Sequence, residues 1–121
     1  MNLIVMRNKK LFTLNMYYNG IEIGKSVSAS INKNKSMIYN INIKSKYQGL
    51  GYGNYLLNST ENLLLLENNN LRNISIVVYQ KDDNLINFYK KNNYDIIKDS
   101  NNIYDDGEYI YNLYQMIKFI K

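Results

Sequence analysis

The sequence predicts an α/β (α+β) domain, built as a mixed, largely antiparallel sheet with two main helices. Three observations carry that expectation. Two strand-like runs, Leu11 to Tyr18 and Ile21 to Ile31, flank Asn19-Gly20. After Gly49, Gly51 and Gly53 the apolar positions change from alternation to helical spacing. Ile74 to Tyr79 is then a β-branched run, followed by a short amphipathic stretch. At 121 residues, one domain covering 1–121 is the natural count.

Each element has its own local reason. Leu3 to Met6 is a short apolar strand. Asn19-Gly20 marks a type I′ hairpin, whose two central residues need positive φ. Met37 to Lys44 alternates, which places Met37, Tyr39, Ile41 and Ile43 on one face and Ile38, Asn40 and Asn42 on the other. Leu56, Leu57, Thr60, Leu63 and Leu64 form one helical face, which stops at Asn68-Asn69-Asn70. Ile74 to Tyr79 reads as a buried strand. Asp82, Asp83 and Asn84 are N-cap types before a helix over Leu85 to Asn92, and Asn93 suits a left-handed cap. Tyr94 to Lys98 and Tyr109 to Lys121 close the sheet, joined by a polar loop containing Asp105-Asp106-Gly107.

Composition excludes whole classes of chemistry. Hydrophobic residues are 45% and charged residues 21%, which is globular rather than disordered. There is no Cys and no His, so disulfides, thiolate nucleophiles, Ser-His triads and zinc sites built on those residues are ruled out. No metal is expected. No apolar run approaches the roughly 20 residues of a membrane span, and the N-terminus lacks a signal-peptide pattern; a cytoplasmic, intracellular chain without a membrane partner is the expectation. Asn (22), Ile (16), Tyr (13) and Lys (13) make up 64 of the 121 residues. These types share A/T-rich codons, so the bias is that of an A/T-rich genome, and single Asn or Lys residues carry little functional signal. The net charge of +5 suits an anionic ligand. Nucleic acid is the weaker reading, because Lys and Arg are scattered and no basic-aromatic motif occurs.

The chemistry concentrates in Gln48-Gly49-Leu50-Gly51-Tyr52-Gly53, between a strand and a helix. Glycines leave backbone N–H groups uncovered, and the next helix adds about half a positive charge at its start. A flexible connection is the plain alternative. A P-loop needs Gly-Lys followed by Ser or Thr, whereas Asn54 and Tyr55 follow Gly53. A Rossmann loop needs G-x-G-x-x-G at the first βαβ strand, which is also absent. The stretch resembles instead the Q/R-x-x-G-x-G/A signature of the GNAT superfamily of acyl-CoA-dependent N-acyltransferases, through Gln48, Gly51 and Gly53. Ile41-x-Ile43, Tyr47 and Leu56-Leu57 are similar in context. So is a second block, Val77-Val78-Tyr79, Asn84, Phe88-Tyr89-Lys90-Lys91 and Tyr94, with Asn93 where Gly is usual. Tyr104-Asp105-Asp106-Gly107-Glu108 looks like the family's final hairpin. The likeness spans about residues 11–121 and implies a GNAT-like fold.

The resemblance implies acetyl-CoA as co-substrate and transfer of its acetyl group to a primary amine, on a protein or peptide, by direct attack. It places the pyrophosphate on the backbone of Gln48, Gly49, Leu50, Gly51, Tyr52, Gly53 and Asn54. Ile41 and Ile43 would bond the pantetheine arm, and a strand amide near Ile43 would hold the oxyanion. Asn84 would meet the arm or cap its helix. Tyr89 matches the tyrosine that protonates the departing thiolate; packing in the core is its alternative. No acid occupies a fixed family position, so no general base is assigned. The family's two helices before the central hairpin have no counterpart before Leu11. An open acceptor groove follows, with the Tyr104 region as its remaining wall, and with it a larger acceptor or a homodimer. A catalytically inactive CoA-binding or protein-interaction module is the competing reading.

Overall fold

A computed structural model describes residues 1–97, 102–105, 107–108 and 110–120. Strands β1 (Asn2–Asn8), β2 (Leu11–Tyr18), β3 (Ile21–Asn32) and β4 (Lys35–Ile43) form an antiparallel meander. A 3-10 turn, Ser45–Tyr47, leads to helix α1 (Tyr52–Glu67), then β5 (Asn73–Tyr79), α2 (Asp83–Lys91), β6 (Asp95–Ile96), β7 (Asn102–Asp105) and β8 (Ile110–Phe119). The sheet order is β1-β2-β3-β4-β5-β8-β6, with β7 also on β8. Only β4 and β5 pair in parallel; the mixed, largely antiparallel sheet and the two helices are as the sequence predicts.

Local chemistry accounts for the turns. Asn19 and Gly20 have φ of 51° and 77°, the conformation an Asn-Gly hairpin requires. Asn93 has φ 71° and ends α2 as a left-handed residue. The Asp82 carboxylate caps α2, accepting the Leu85 N–H at 3.1 Å. Lys98 falls outside the described residues, as do Asp106, Tyr109 and Lys121. The stretch read as a polar loop before Tyr109 contains β7, which pairs with β8 from Asn102↔Leu113 to Asp105↔Ile110. The pairing is a backbone feature, which the polar run around it does not report.

Both helices pack on one face of the sheet. Phe12, Ile38, Ile74, Ile76, Val78 and Met116 meet Leu57, Leu63 and Leu64 of α1 and Ile86 and Tyr89 of α2. Leu14, Met16, Ile23 and Ile43 meet Leu56. Truncating a wholly buried leucine such as Leu57 to Ala typically costs about 2–5 kcal/mol. Some buried polar groups are paired, whereas the wholly buried Ser36 and Ser75 hydroxyls have no hydrogen-bond partner among the described residues. Ser26 Oγ lies 2.7 Å from Thr60 Oγ1, which itself donates to the Leu56 carbonyl, so Ser26 is the donor. Glu61 accepts from Tyr94 Oη at 2.7 Å and Lys118 Nζ at 3.0 Å.

Strand β4 departs from simple alternation. Its register runs Ser26↔Ile41, Val27↔Asn40, then Ser28↔Ile38, so Tyr39 is an extra residue opposite β3. This bulge inverts the parity. Ile38 therefore joins Ile41 and Ile43 on the helix-bearing face, while Met37 and Tyr39 belong to the other, correcting the face assignment made from alternation alone. No described helix is long and apolar enough to cross a membrane.

Candidate functional site

The parallel pairing of β4 and β5 stops at Ile38↔Ile76. Beyond it β4 runs on to Ile43 and β5 to Tyr79 without pairing each other, so the sheet opens into a split. The split, about 420 Å³, is lined by Ile38, Tyr39, Asn40, Ile76, Val77, Val78, Tyr79, Leu85, Tyr89 and Leu113. The bulge sits at its mouth. Next to it, and sharing Leu85, lies a groove of about 770 Å³ lined by Ile41, Asn42, Ile43, Gln48, Gly49, Gly53, Asp82, Asn84, Leu85 and Phe88.

The glycine loop closes the far end of that groove. Gln48 Nε2 donates to the Ile43 carbonyl at 2.8 Å, tying the loop to the end of β4. Gly49 and Gly51 have φ of 77° and 88°, and a Cβ on either would meet no atom within 4 Å. The turn thus needs glycine for its backbone angle and leaves open space above the backbone. Gly51 precedes α1 without a side-chain cap, and the Tyr55 N–H bonds back to its carbonyl at 3.2 Å. The amides of Tyr52, Gly53 and Asn54 come before that bond and have no intrahelical acceptor. Gly53 faces the Phe88 ring of α2, which a Cβ there would meet at 3.4 Å, in ordinary contact.

Of the residues singled out from the sequence, the groove gathers Ile41, Ile43, Gln48, Gly49, Gly53 and Asn84. Leu50 is exposed, and Tyr52 packs with Tyr47 edge to face. The Asn54 side chain accepts from Asn92 Nδ2 at 3.0 Å, linking the two helices. Asn84 does not cap α2, because Asp82 does. Tyr89 stands apart from the groove residues and lines the split, stacked edge to face on Phe88 and Tyr94. Burial, reinforced by the nearby Asp82 charge, pushes its phenol up to about 12. The Tyr94 phenol is also raised, by burial first and then by Glu61.

Sequence reasoning missed Tyr39, Asn40, Tyr79 and Leu113 of the split, and Leu85 and Phe88 of the groove. The signal for the first pair was the bulge, which alternation does not reveal. Asp82 was visible only as an N-cap type. No carboxylate is among the described residues lining the split, and no described group of three or more acids gathers as a metal site. The Tyr104 backbone lies in β7; its side chain is outside the described residues.

The residues present fit an acyl-CoA. An open, uncapped amide cradle suits its phosphates. The unpaired edge of β4 suits its amide-bearing arm, and the apolar split suits a small acyl group.

No family model matches the chain, and no curated protein matches it. Solved structures do. The ribosomal-protein-S18-alanine N-acetyltransferase from Escherichia coli superposes with a TM-score of 0.80 at 16% identity, over 95% of this chain and 72% of that one. A GNAT family acetyltransferase from Elizabethkingia anophelis with acetyl-CoA bound gives 0.74 at 18% identity, over 92% and 77%. Naa50 from Arabidopsis thaliana, in complex with the bisubstrate analogue CoA-Ac-MVNAL, gives 0.69 at 24% identity, over 88% and 71%. With the split between its two parallel strands and the glycine loop beside it, the chain has the fold of the GNAT acetyltransferases.

Proposed function

We propose that the chain is an acetyl-CoA-dependent N-acetyltransferase acting on a primary amine carried by a peptide or protein. One observation carries the reading: the groove at the glycine loop and the split that holds Tyr89 adjoin along the unpaired length of β4 and share Leu85. The bound forms of two neighbours, acetyl-CoA in one and a CoA-peptide analogue in the other, support both co-substrate and acceptor class.

Acetyl-CoA supplies an activated acetyl thioester. The protein supplies position and protons. The amides of residues 49–54 hold the pyrophosphate, and the free edge around Ile41 to Ile43 orients the pantetheine arm. Residues 38–40 line the split with Tyr89, whereas Ile43 lines the groove, so in this reading the strand amide that donates to the carbonyl oxygen belongs to residues 38–40. Tyr89, a phenol and so protonated at neutral pH, donates its Oη proton to the leaving sulfur as the amine nitrogen bonds the acetyl carbon and the C–S bond breaks, and the proton that the amine sheds restores the phenol.

The test is calorimetric titration with acetyl-CoA, followed by acetyl transfer to a mixed panel of peptides and polyamines. A saturable titration with transfer to a member of the panel is expected. The lack of a described carboxylate in the split favours a second reading, a CoA-binding module without catalysis. Binding without transfer to any acceptor would select that reading; no binding at millimolar acetyl-CoA would end both.

A further inference from the structure

Cations scattered along the sequence are gathered by the fold at one end of the sheet. The β1–β2 and β3–β4 turns lie at the same end of the meander, and β5, parallel to β4, starts there. Helix α1 ends there too: the Asn68 side chain donates to the Asn32 carbonyl at 3.2 Å, and Arg7 binds Glu67. Two grooves open at this end and share Lys33. One, about 300 Å³, is lined by Lys9, Lys10, Lys33 and Glu67 among others. The other, about 830 Å³, runs past Lys33, Asn69, Asn70, Arg72 and Phe119. Among the described residues Lys9, Lys10, Lys33 and Arg72 form no ion pair, and the one acid in the lining is already held by Arg7. Asp95 of β6 pairs with Ile117, two residues before Phe119, and lines neither groove.

With Arg7 and Glu67 cancelling, the four remaining cations give this lining +4 of the chain's +5. Like charges so gathered repel one another and attract an anion. The negative end of the α1 dipole offsets part of the repulsion for side chains beside its last turn. The shape and the other lining residues select the anion. Cations spread through two joined grooves suit a chain of phosphates better than one compact ion. Phe119 is 73% exposed, and its strand neighbour Asn73 follows Arg72, so an open aromatic face stands beside a guanidinium. Bases stack on such a face. The exposed carboxamides of Asn69 and Asn70 both donate and accept, as base edges require. An acidic peptide would answer the cations and leave the ring uncovered. An anionic membrane would call for an apolar fringe where these carboxamides stand.

We propose that this end of the sheet binds single-stranded nucleic acid, with phosphates on Lys9, Lys10, Lys33 and Arg72 and a base stacked on Phe119. The site flanks the start of β4, whereas the glycine loop follows its end at Ile43. At strand rise the two lie about 25 Å apart, so an occupant of one leaves the other open. The proposal does not depend on the acetyltransferase reading.

Fluorescence anisotropy of labelled U12 and dT12 oligonucleotides, titrated with the full chain between about 50 and 200 mM NaCl, tests it. Saturable binding to either supports the proposal, and the tighter of the two names the source. Four neutralised phosphates predict a slope of log K against log salt of about −3. Lys33→Gln/Arg72→Gln should weaken binding at least tenfold and reduce the slope by about 1.4. Lys25→Gln/Lys44→Gln removes the same charge at the other end of the sheet and should stay within about threefold. Phe119→Ala should weaken binding at least fivefold at an unchanged slope, by about the loss of one stacked base. All five side chains are exposed, so the variants should keep the parent's far-UV circular dichroism. No binding at about 50 mM NaCl and 100 μM protein overturns the proposal. So does equal weakening by the two double variants, which marks general charge alone. Displacement by millimolar coenzyme A overturns it by moving the oligonucleotide to the glycine loop. Polyglutamate or phosphatidylserine vesicles that bind as tightly as U12, with Phe119→Ala without effect, overturn it in favour of an acidic protein or a membrane.

Discussion

Tyr89 combines two properties that pull in different directions. The proposed role as an acid needs a protonated group, which a phenol is through the physiological range, and burial pushes its ionisation higher still. Yet a phenol raised to about 12 is a weak donor to a thiolate near 8.5, so donation has to accompany breakage of the C–S bond. Tyr89→Phe should lower turnover by about 10²–10⁴-fold and leave acetyl-CoA affinity within twofold; if the ring only packs, activity stays within a few-fold. Stability supplies a second readout. The unfolded phenol titrates near 10 and the folded one near 12, so this contribution is fully present below pH 10 and is lost as pH rises toward 12. Denaturant midpoints of the parent should fall between pH 10 and 12, and the Phe variant should fall less. Glu61 is the other costly residue. Glu61→Ala strands the Tyr94 hydroxyl and Lys118, and should destabilise by about 2–3 kcal/mol, below the usual figure for a broken buried pair because Lys118 reaches water. Urea unfolding measures it. Tyr89 was singled out in the sequence because its neighbours Phe88, Lys90 and Lys91 form a local pattern; the structure places it in the lining of the split. The Glu61–Tyr94–Lys118 cluster was not, since its members are brought together from α1, the end of α2 and β8 only by the fold.

At the scale of elements, the glycine loop and the bulge do the positioning. Gly51 sits at φ 88° in open space, so a side chain there is opposed by the backbone angle and would project where phosphates approach. Gly51→Val should cost about 1–3 kcal/mol in stability and abolish the thermal shift produced by acetyl-CoA, while circular dichroism keeps the native signature. Retained binding would mean that the loop amides are not the phosphate site. The loop could be read from sequence, because glycine spacing reports backbone demands directly. Strands β2 and β3 could be read for the same reason, through alternation and Asn19-Gly20. The bulge at Tyr39 could not: Ile38 and Ile41 are three apart, and only the pairing with β3 shows that both face the helices. Strand β7 escaped as well, since its backbone pairing with β8 lies in a run that reads as a polar loop.

The whole molecule sets how an acceptor arrives. The groove proposed for the co-substrate lies among β4, α1 and α2, and the split is lined by residues of both sheet faces, including the one that carries no described helix. An amine coming from that side meets Val77 and Tyr79, both more than two-fifths exposed, and not an enclosed chamber. A small free amine can touch little of such a surface. A peptide can lie along it and also bond the exposed strand edges, recovering binding energy away from the reacting nitrogen that helps to orient it. The single chain should therefore acetylate peptides with a KM at least tenfold below that for a small amine of equal basicity. Two acceptors matched in amine pKa, one a pentapeptide and one an amino acid amide, isolate the effect of size from that of protonation. Equal KM values for the pair, or a micromolar KM for the amide, would show that the acceptor pocket is closed by something other than the sheet face.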